Sequence, residues 1–273
     1  MESATDMFSA FDIRVSRGRR PVLGGATLQV RPGEVVALLG ANGAGKSTLL
    51  SVLAGELRGE AAVHGKRGVM LNGCDLAKLD VAAQARSRTV LPQKPSLAFD
   101  LDVTEVVAMG AYPFPGLSQD DIDILSRRVL DKADISHLAA RRYLELSGGE
   151  QQRVQFARVM LQILAERQAD PRGRYMLLDE PTASLDPQHQ QLLLGVVREL
   201  ALTGRIGVVL VIHDVNLAAL WSDRIALLSD GVVVACDTPE NVLTPESLRR
   251  VYGVAVHVMA HPRQPGKPLV VFG

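Results

Sequence analysis

Wholly apolar runs punctuate the chain at 35–39, 208–212 and 225–228, and a shorter one at 176–178 ends in two acids. Runs with no polar residue on either face read as strands buried on both sides, as in a parallel sheet. Between them lie segments with apolar residues at helical spacing, notably 187–201 and 215–221. Buried strands alternating with helices predict a mainly parallel sheet covered on both faces. Two further short strands are expected at 10–15 and 26–30, separated by the polar turn Arg17-Gly18-Arg19-Arg20-Pro21. Asp230-Gly231 ahead of Val232-Val233-Val234 predicts a closing hairpin.

The stretch 94–161 breaks this rhythm. It holds no strand-like run, and helix-like patterns fall at 103–109, 120–133 and 150–161. It reads as a helical lobe inserted into the α/β core. In the tail, Thr238-Pro239-Glu240 and Thr244-Pro245-Glu246 give two helix starts. In each, Thr caps, Pro takes the first turn, and Glu suits the positive end. The expected organisation is one domain over 1–273: a core at about 8–93 and 162–240, the lobe at 94–161 and an extension at 241–273.

Composition narrows the picture. The chain has 273 residues, with 30 Lys plus Arg balanced by 30 Asp plus Glu. A neutral chain lacks the basic excess expected of a protein that grips long nucleic acid. Cys74 and Cys236 stand far apart with no C-x-x-C or neighbouring His, which argues against a disulfide framework or zinc site and fits a reducing compartment. They read as two ordinary semi-buried thiols. The N-terminus shows no signal-peptide run, and the apolar runs are strand length, far short of a membrane span. A cytosolic chain is expected, held at a membrane only through something else.

The strongest chemical signal is Gly40-Ala41-Asn42-Gly43-Ala44-Gly45-Lys46-Ser47, followed by a helical run from Thr48. It fits G-x-x-x-x-G-K-[ST] between a buried strand and a helix. The glycines let backbone N–H groups curl around phosphate oxygens, with the helix N-terminus adding a favourable field. Lys46 is expected on the β- and γ-phosphates, and Ser47 on Mg²⁺. The apolar run ending in Asp179-Glu180 supplies the acids such a loop needs: Asp179 for the metal, and Glu180 as general base for the attacking water.

Leu146-Ser147-Gly148-Gly149-Glu150-Gln151 lies upstream of that acidic strand, at a helix start. A hydroxyl and two close-approach glycines there make a second anion cradle. With this hexapeptide, the chain resembles the ABC-type ATPases, whose signature it is. The resemblance implies a P-loop NTPase core of RecA-like type, with an N-terminal antiparallel β subdomain and an inserted α-helical subdomain. It also implies a homodimer in which Ser147, Gly148, Gly149, Glu150 and Gln151 close over the γ-phosphate bound to the other subunit. By the same resemblance Gln93 touches Mg²⁺ and the water, Ser184 and Asp186 form the interface loop, and His213 contacts the γ-phosphate. These elements span roughly residues 10 to 240 in the family's order. One position departs. Many relatives stack an aromatic on adenine about two dozen residues before the P-loop, where this chain has Val15-Ser16-Arg17 and its nearest aromatic is Phe11. Val15 or Arg17 is left to contact the base, and weak base selectivity is expected.

Within the family, Leu91-Pro92-Gln93 through Phe99, the segment 103–110 with Pro113, 153–158, the long insertion 163–174 and the tail 249–254 resemble importers of iron chelates, cobalamin and haem. The haem importer ATPases are the nearest in likeness. The resemblance implies two membrane-spanning permease subunits, a periplasmic substrate-binding protein engaged indirectly, and a peripheral place at the cytoplasmic face of the bacterial inner membrane. Ferric siderophore or cobalamin import is the alternative cargo, and a soluble ABC ATPase acting on nucleic acid or ribosomes the alternative class. The cargo crosses the permeases, so His257 and His261 read as surface or packed residues rather than haem ligands.

Overall fold

The structure is a computed structural model describing residues 6–57, 68–93, 97, 99–167, 170 and 172–273. The chain opens with a long hairpin, β1 (Phe8–Arg17) and β2 (Arg20–Val30), and β3 (Val35–Leu39) then runs into α1 (Lys46–Leu53). Two short strands follow, β4 (Val69–Leu71) and β5 (Cys74–Asp75), and α2 (Val81–Ser87) leads to β6 (Arg88–Leu91). The lobe is α3 (Val103–Ala108), α4 (Gln119–Lys132) and α5 (Gly148–Leu164). The chain returns through β7 (Arg174–Asp179), α6 (Pro187–Gly204), β8 (Ile206–Val211), α7 (Val215–Trp221), β9 (Arg224–Ser229) and β10 (Val232–Asp237). It closes with α8 (Pro239–Val242), α9 (Pro245–Tyr252), β11 (Val256–Ala260) and β12 (Pro268–Phe272).

The six-stranded sheet has the order β10-β9-β3-β8-β7-β6, with β10 antiparallel to β9 and the other pairs parallel. The N-terminal sheet, β2-β1-β4-β5, is antiparallel throughout. Successive side chains of a strand point to opposite faces, and the core divides accordingly. Val35, Ala37 and Leu39 of β3 join one apolar cluster with the helices of the lobe. Val36 and Leu38 join the other, with α1 and the antiparallel sheet. Met176 and Leu178 of β7 split from Tyr175 and Leu177 in the same way. Burying a Leu or Val on either face contributes about 1.5–3 kcal/mol, which is why these strands carry no polar face.

All the parallel strands carry their carboxyl ends to one edge of the sheet. That edge receives the loop after β3, the acids after β7, His213 after β8 and Gln93 after β6. Ligands of open α/β sheets sit at such an edge.

Several expectations need adjustment. β1 and β2 run further than 10–15 and 26–30, because they pair residue against residue out to Arg17 and Arg20. Edge strand β6 went unforeseen, since Arg88-Thr89-Val90-Leu91 alternates rather than forming a buried run. The hairpin β11–β12 was also unforeseen. Thr244 caps α9 by accepting from the Ser247 N–H, whereas Thr238 makes no side-chain cap bond. Cys74 is exposed rather than semi-buried, and Cys236 is half-buried. The expected lobe boundary at Lys94, and Ala98 beyond it, lie outside the described residues. Among the described residues, no helix is long and apolar enough to cross a membrane.

Candidate active site

The loop from Gly40 to Ser47 joins β3 to α1 in a backbone path that needs glycine. Gly40, Gly43 and Gly45 have φ of 154°, 81° and 104°. A Cβ on Gly40 would lie 2.3 Å from the Leu228 carbonyl oxygen, and one on Gly45 2.8 Å from the Leu23 side chain. Gly45 caps α1 without a side-chain bond, so the first N–H groups of the helix are left for a ligand. The N–H of Gly231, in the β9–β10 turn, donates to Ala44 O at 3.2 Å and braces the loop from outside.

Lys46 bends back over this loop. Its Nζ donates to Gly40 O at 2.8 Å and Ala41 O at 3.1 Å. Burial lowers the pKa of its ammonium, with Glu180 and then Asp179 pulling it back up. Ala44 and Thr48 are buried beneath, while Asn42 and Ser47 face outward. The Ser47 hydroxyl donates to Asp179 Oδ1 at 3.4 Å, joining the loop to the end of β7. Desolvation raises the Asp179 carboxyl pKa, partly offset by the Ser47 hydrogen bond. Among the described residues, no group of three or more His, Cys, Asp and Glu gathers at a point. One hydroxyl beside one carboxylate fits Mg²⁺, a hard cation that leans on water and substrate phosphates rather than an all-protein cage.

Glu180 follows Asp179 with φ of 50°, a left-handed backbone unusual for a residue with a Cβ. Its N–H still donates to Val211 O at 3.0 Å, holding the end of β7 against β8. The turn aims the carboxylate between two partners. Oε1 lies 2.5 Å from His213 Nε2, and Oε2 accepts from Gln93 Nε2 at 2.8 Å. At that distance from a carboxylate, Nε2 carries the proton and donates. Loops after β6, β7 and β8, far apart in sequence, therefore converge on one carboxylate.

Ser147 caps α5 and forms a capping box. Glu150 Oε2 accepts from the Ser147 N–H at 2.8 Å and from its hydroxyl at 2.7 Å, and Ser147 Oγ accepts from the Glu150 N–H at 3.4 Å. These Ser147 bonds hold the Glu150 carboxyl below its ordinary range. Gly148 is open, whereas a Cβ on Gly149 would lie 2.9 Å from Ser184 O. Gln151 Nε2 donates to Tyr143 O at 3.2 Å. Asp186 caps α6 through the His189 N–H at 3.0 Å and pairs with His189 Nδ1 at 2.7 Å. Lys46, Ser47, Asp179, Glu180, Gln93 and His213 thus meet in one place. The signature residues lie together at the start of α5, with Ser184 beside Gly149.

Val15 is corrected. Its side chain is 6% exposed within the core, so it has no face to offer a base, while Arg17 stands exposed at the hairpin tip. The sequence reading also missed Tyr252, whose phenol pKa is raised by burial, with the nearby Gly40 main chain partly offsetting it. No local pattern encodes a contact across that separation.

The family profile described as ABC transporter matches residues 23–183. The hemin import ATP-binding protein HmuV of Bordetella avium is 53% identical over 262 residues, covering 96% of this chain and 98% of that protein. The protein of the same name from Pseudomonas fluorescens is 45% identical over 265 residues, covering 97% and 99%. Among solved structures, a metal-chelate-type ABC transporter in an inward-facing conformation matches with a TM-score of 0.76 at 25% identity, covering 97% of this chain and 96% of that one. The fold also matches a dimeric ATP-binding cassette bound to ADP and phosphate, with a TM-score of 0.71 at 24% identity, covering 85% and 98%.

Proposed function

The chain belongs to the ABC transporter family, and from that premise we propose that it is the ATP-hydrolysing subunit of a haem (hemin) importer. The observation that carries the hydrolytic reading is the Glu180 carboxylate held by Gln93 and His213 beside Lys46, Ser47 and Asp179. Likeness over nearly the whole length to proteins named for hemin import supports the cargo. The subunit works as a homodimer with two membrane-spanning permease subunits, at the cytoplasmic face of the bacterial inner membrane. A periplasmic binding protein delivers the cargo. The chain acts as one domain, with the lobe 94–161 set between core segments 8–93 and 162–240 and followed by the extension 241–273.

In this mechanism the N–H groups of 40–48 and the start of α1 bind the phosphates of ATP. Lys46 leaves the carbonyls of Gly40 and Ala41 for the β- and γ-phosphates, exchanging neutral acceptors for charged ones. Ser47, Asp179 and Gln93 hold Mg²⁺, which when bound neutralises charge on the phosphate oxygens. Residues 147–151 of the second subunit cover the γ-phosphate, with Ser184 and Asp186 at the same interface. Glu180 accepts a proton from the attacking water, and the His213 N–H turns to the γ-phosphate oxygen. Loss of the γ-phosphate removes the bridge between subunits, and the lobes part.

Co-reconstitution with its permease in proteoliposomes tests the reading. Haem-loaded binding protein should stimulate hydrolysis and uptake, while ferric siderophore or cobalamin should not. Stimulation by either of those discards the haem cargo, and absence of any membrane partner discards the transporter role.

A further inference from the structure

Hairpin β11–β12 lies apart from the main sheet and packs on α7, the helix that follows His213. The contact is specific. Asn216 Nδ2 donates to Val270 O at 3.0 Å, and the Val270 N–H donates to Asn216 Oδ1 at 2.8 Å. A side-chain amide thereby stands where the peptide group of a neighbouring strand would stand, and pairs the open edge of β12. Lys267 Nζ donates to Ser222 O at 3.1 Å, fastening the far end of the same helix. Between these ties Val270 is 3% exposed, in one apolar cluster with Leu217, Ala218 and Ala219.

The helix so held begins two residues after His213. Asp214 caps α7, its Oδ1 accepting from the N–H groups of Asn216 at 2.8 Å and Leu217 at 2.9 Å. His213 therefore sits on a short span between the end of β8 at Val211 and a cap locked into α7. A rotation of α7 would carry the imidazole away from Glu180. Two residues beyond Val270 along β12, Phe272 packs edge-on against Tyr252 of α9, with centroids 6.2 Å apart.

We propose that Asn216 is a positioning residue for hydrolysis: its paired bonds to Val270 let the C-terminal hairpin fix α7, and with it His213 against Glu180. This rests on the hydrolytic reading of His213 and Glu180.

A double-mutant cycle on the full-length chain with its permease tests it, with kcat, KM, ATP affinity and melting temperature measured for each variant. Asn216→Leu should lower kcat about tenfold, on the scale that small misplacements of reacting groups cost. KM and ATP affinity should stay within about twofold. In the His213→Ala background the same change should lower kcat by less than about twofold, because the residue it positions is gone. Asn216→Ser keeps a polar side chain but cannot span both bonds, and it serves in the same cycle if Asn216→Leu fails to fold. Unchanged kcat, an equal loss in the His213→Ala background, or a loss of ATP affinity that tracks melting temperature would overturn the proposal. A His213→Ala variant with normal hydrolysis would instead strike the underlying reading, and it is visible without any change at Asn216.

Discussion

Replacing Glu180 by Gln isolates the proton-accepting step. The substitution is nearly isosteric, and the geometry constrains how the amide sits. Glu180 Oε2 accepts from Gln93 Nε2 at 2.8 Å, so the new carbonyl oxygen belongs there, and the new NH₂ faces His213 Nε2. His213 can meet it by moving its proton to Nδ1, since the ring tautomers interconvert at low cost. Both hydrogen bonds survive, the one from Gln93 unchanged and the one with His213 with donor and acceptor exchanged, and folding and ATP binding should be kept. The amide cannot take a proton from water. A positioned general base contributes about 10²–10⁴-fold, and each decade is about 1.4 kcal/mol of barrier, so about 3–5 kcal/mol should be lost. We expect Glu180→Gln to bind ATP, to form an ATP-dependent dimer by light scattering, and to release phosphate at least a hundredfold more slowly in single turnover. A rate within tenfold of the parent, with dimer formation intact, would refute the base assignment.

Two further outcomes follow from the same site. Burial raises the Asp179 carboxyl pKa in the fold, so its ionised form costs stability at pH values above that raised pKa; the cost shrinks as pH falls through the raised value and is gone below the ordinary carboxyl value of about 4. Asp179→Asn should therefore melt at a higher temperature than the parent at pH 8 in the absence of metal and nucleotide, with the gain shrinking as the pH is lowered towards about 4; an equal gain at pH 8 and pH 4 would contradict the desolvation argument. Arg17 stands exposed at the tip of the N-terminal hairpin, where the family resemblance leaves no aromatic for the base, and loss of a stacking partner costs about 1 kcal/mol, so ATP and GTP affinities should differ by less than about tenfold; a hundredfold preference measured by competition binding would show that another group reads the base.

What the sequence revealed depended on whether the physics was local. The P-loop was legible because glycine at fixed offsets, a strand before and a helix after are all properties of one short segment. So was Ser147 with Glu150, whose spacing is that of a capping box. Strand β3 matched 35–39 residue for residue, since burial on both faces permits no polar position. Edge strand β6 did not announce itself, because one side of it needs no apolar cover. Glu180 was legible from the apolar run that ends in two acids beside a P-loop, whereas Gln93 and His213 could be named only through a family resemblance; that they close on one carboxylate depends on the order β8-β7-β6 in the sheet, which no short window contains. The pairing of Asn216 with Val270 lies further beyond reach, because an amide in a helix and a valine in a strand carry no mark of each other.

The serine at the head of α5 has a bearing on how the subunit idles. Every stray turnover in a cell consumes ATP while moving no cargo, and such leakage grows with the number of waiting copies. In a single chain the Ser147 hydroxyl is already satisfied by Glu150, just as Lys46 is satisfied by its own loop. The Ser147 hydroxyl must therefore leave Glu150 before it can meet an anion at α5. Only a second copy, arriving with a phosphate already in its loop, presents a charge strong enough to draw the hydroxyl away. On the proposed mechanism, parting Ser147 from Glu150 is then one of the exchanges that bringing two loaded copies together must make, and an unpartnered subunit keeps that hydroxyl occupied.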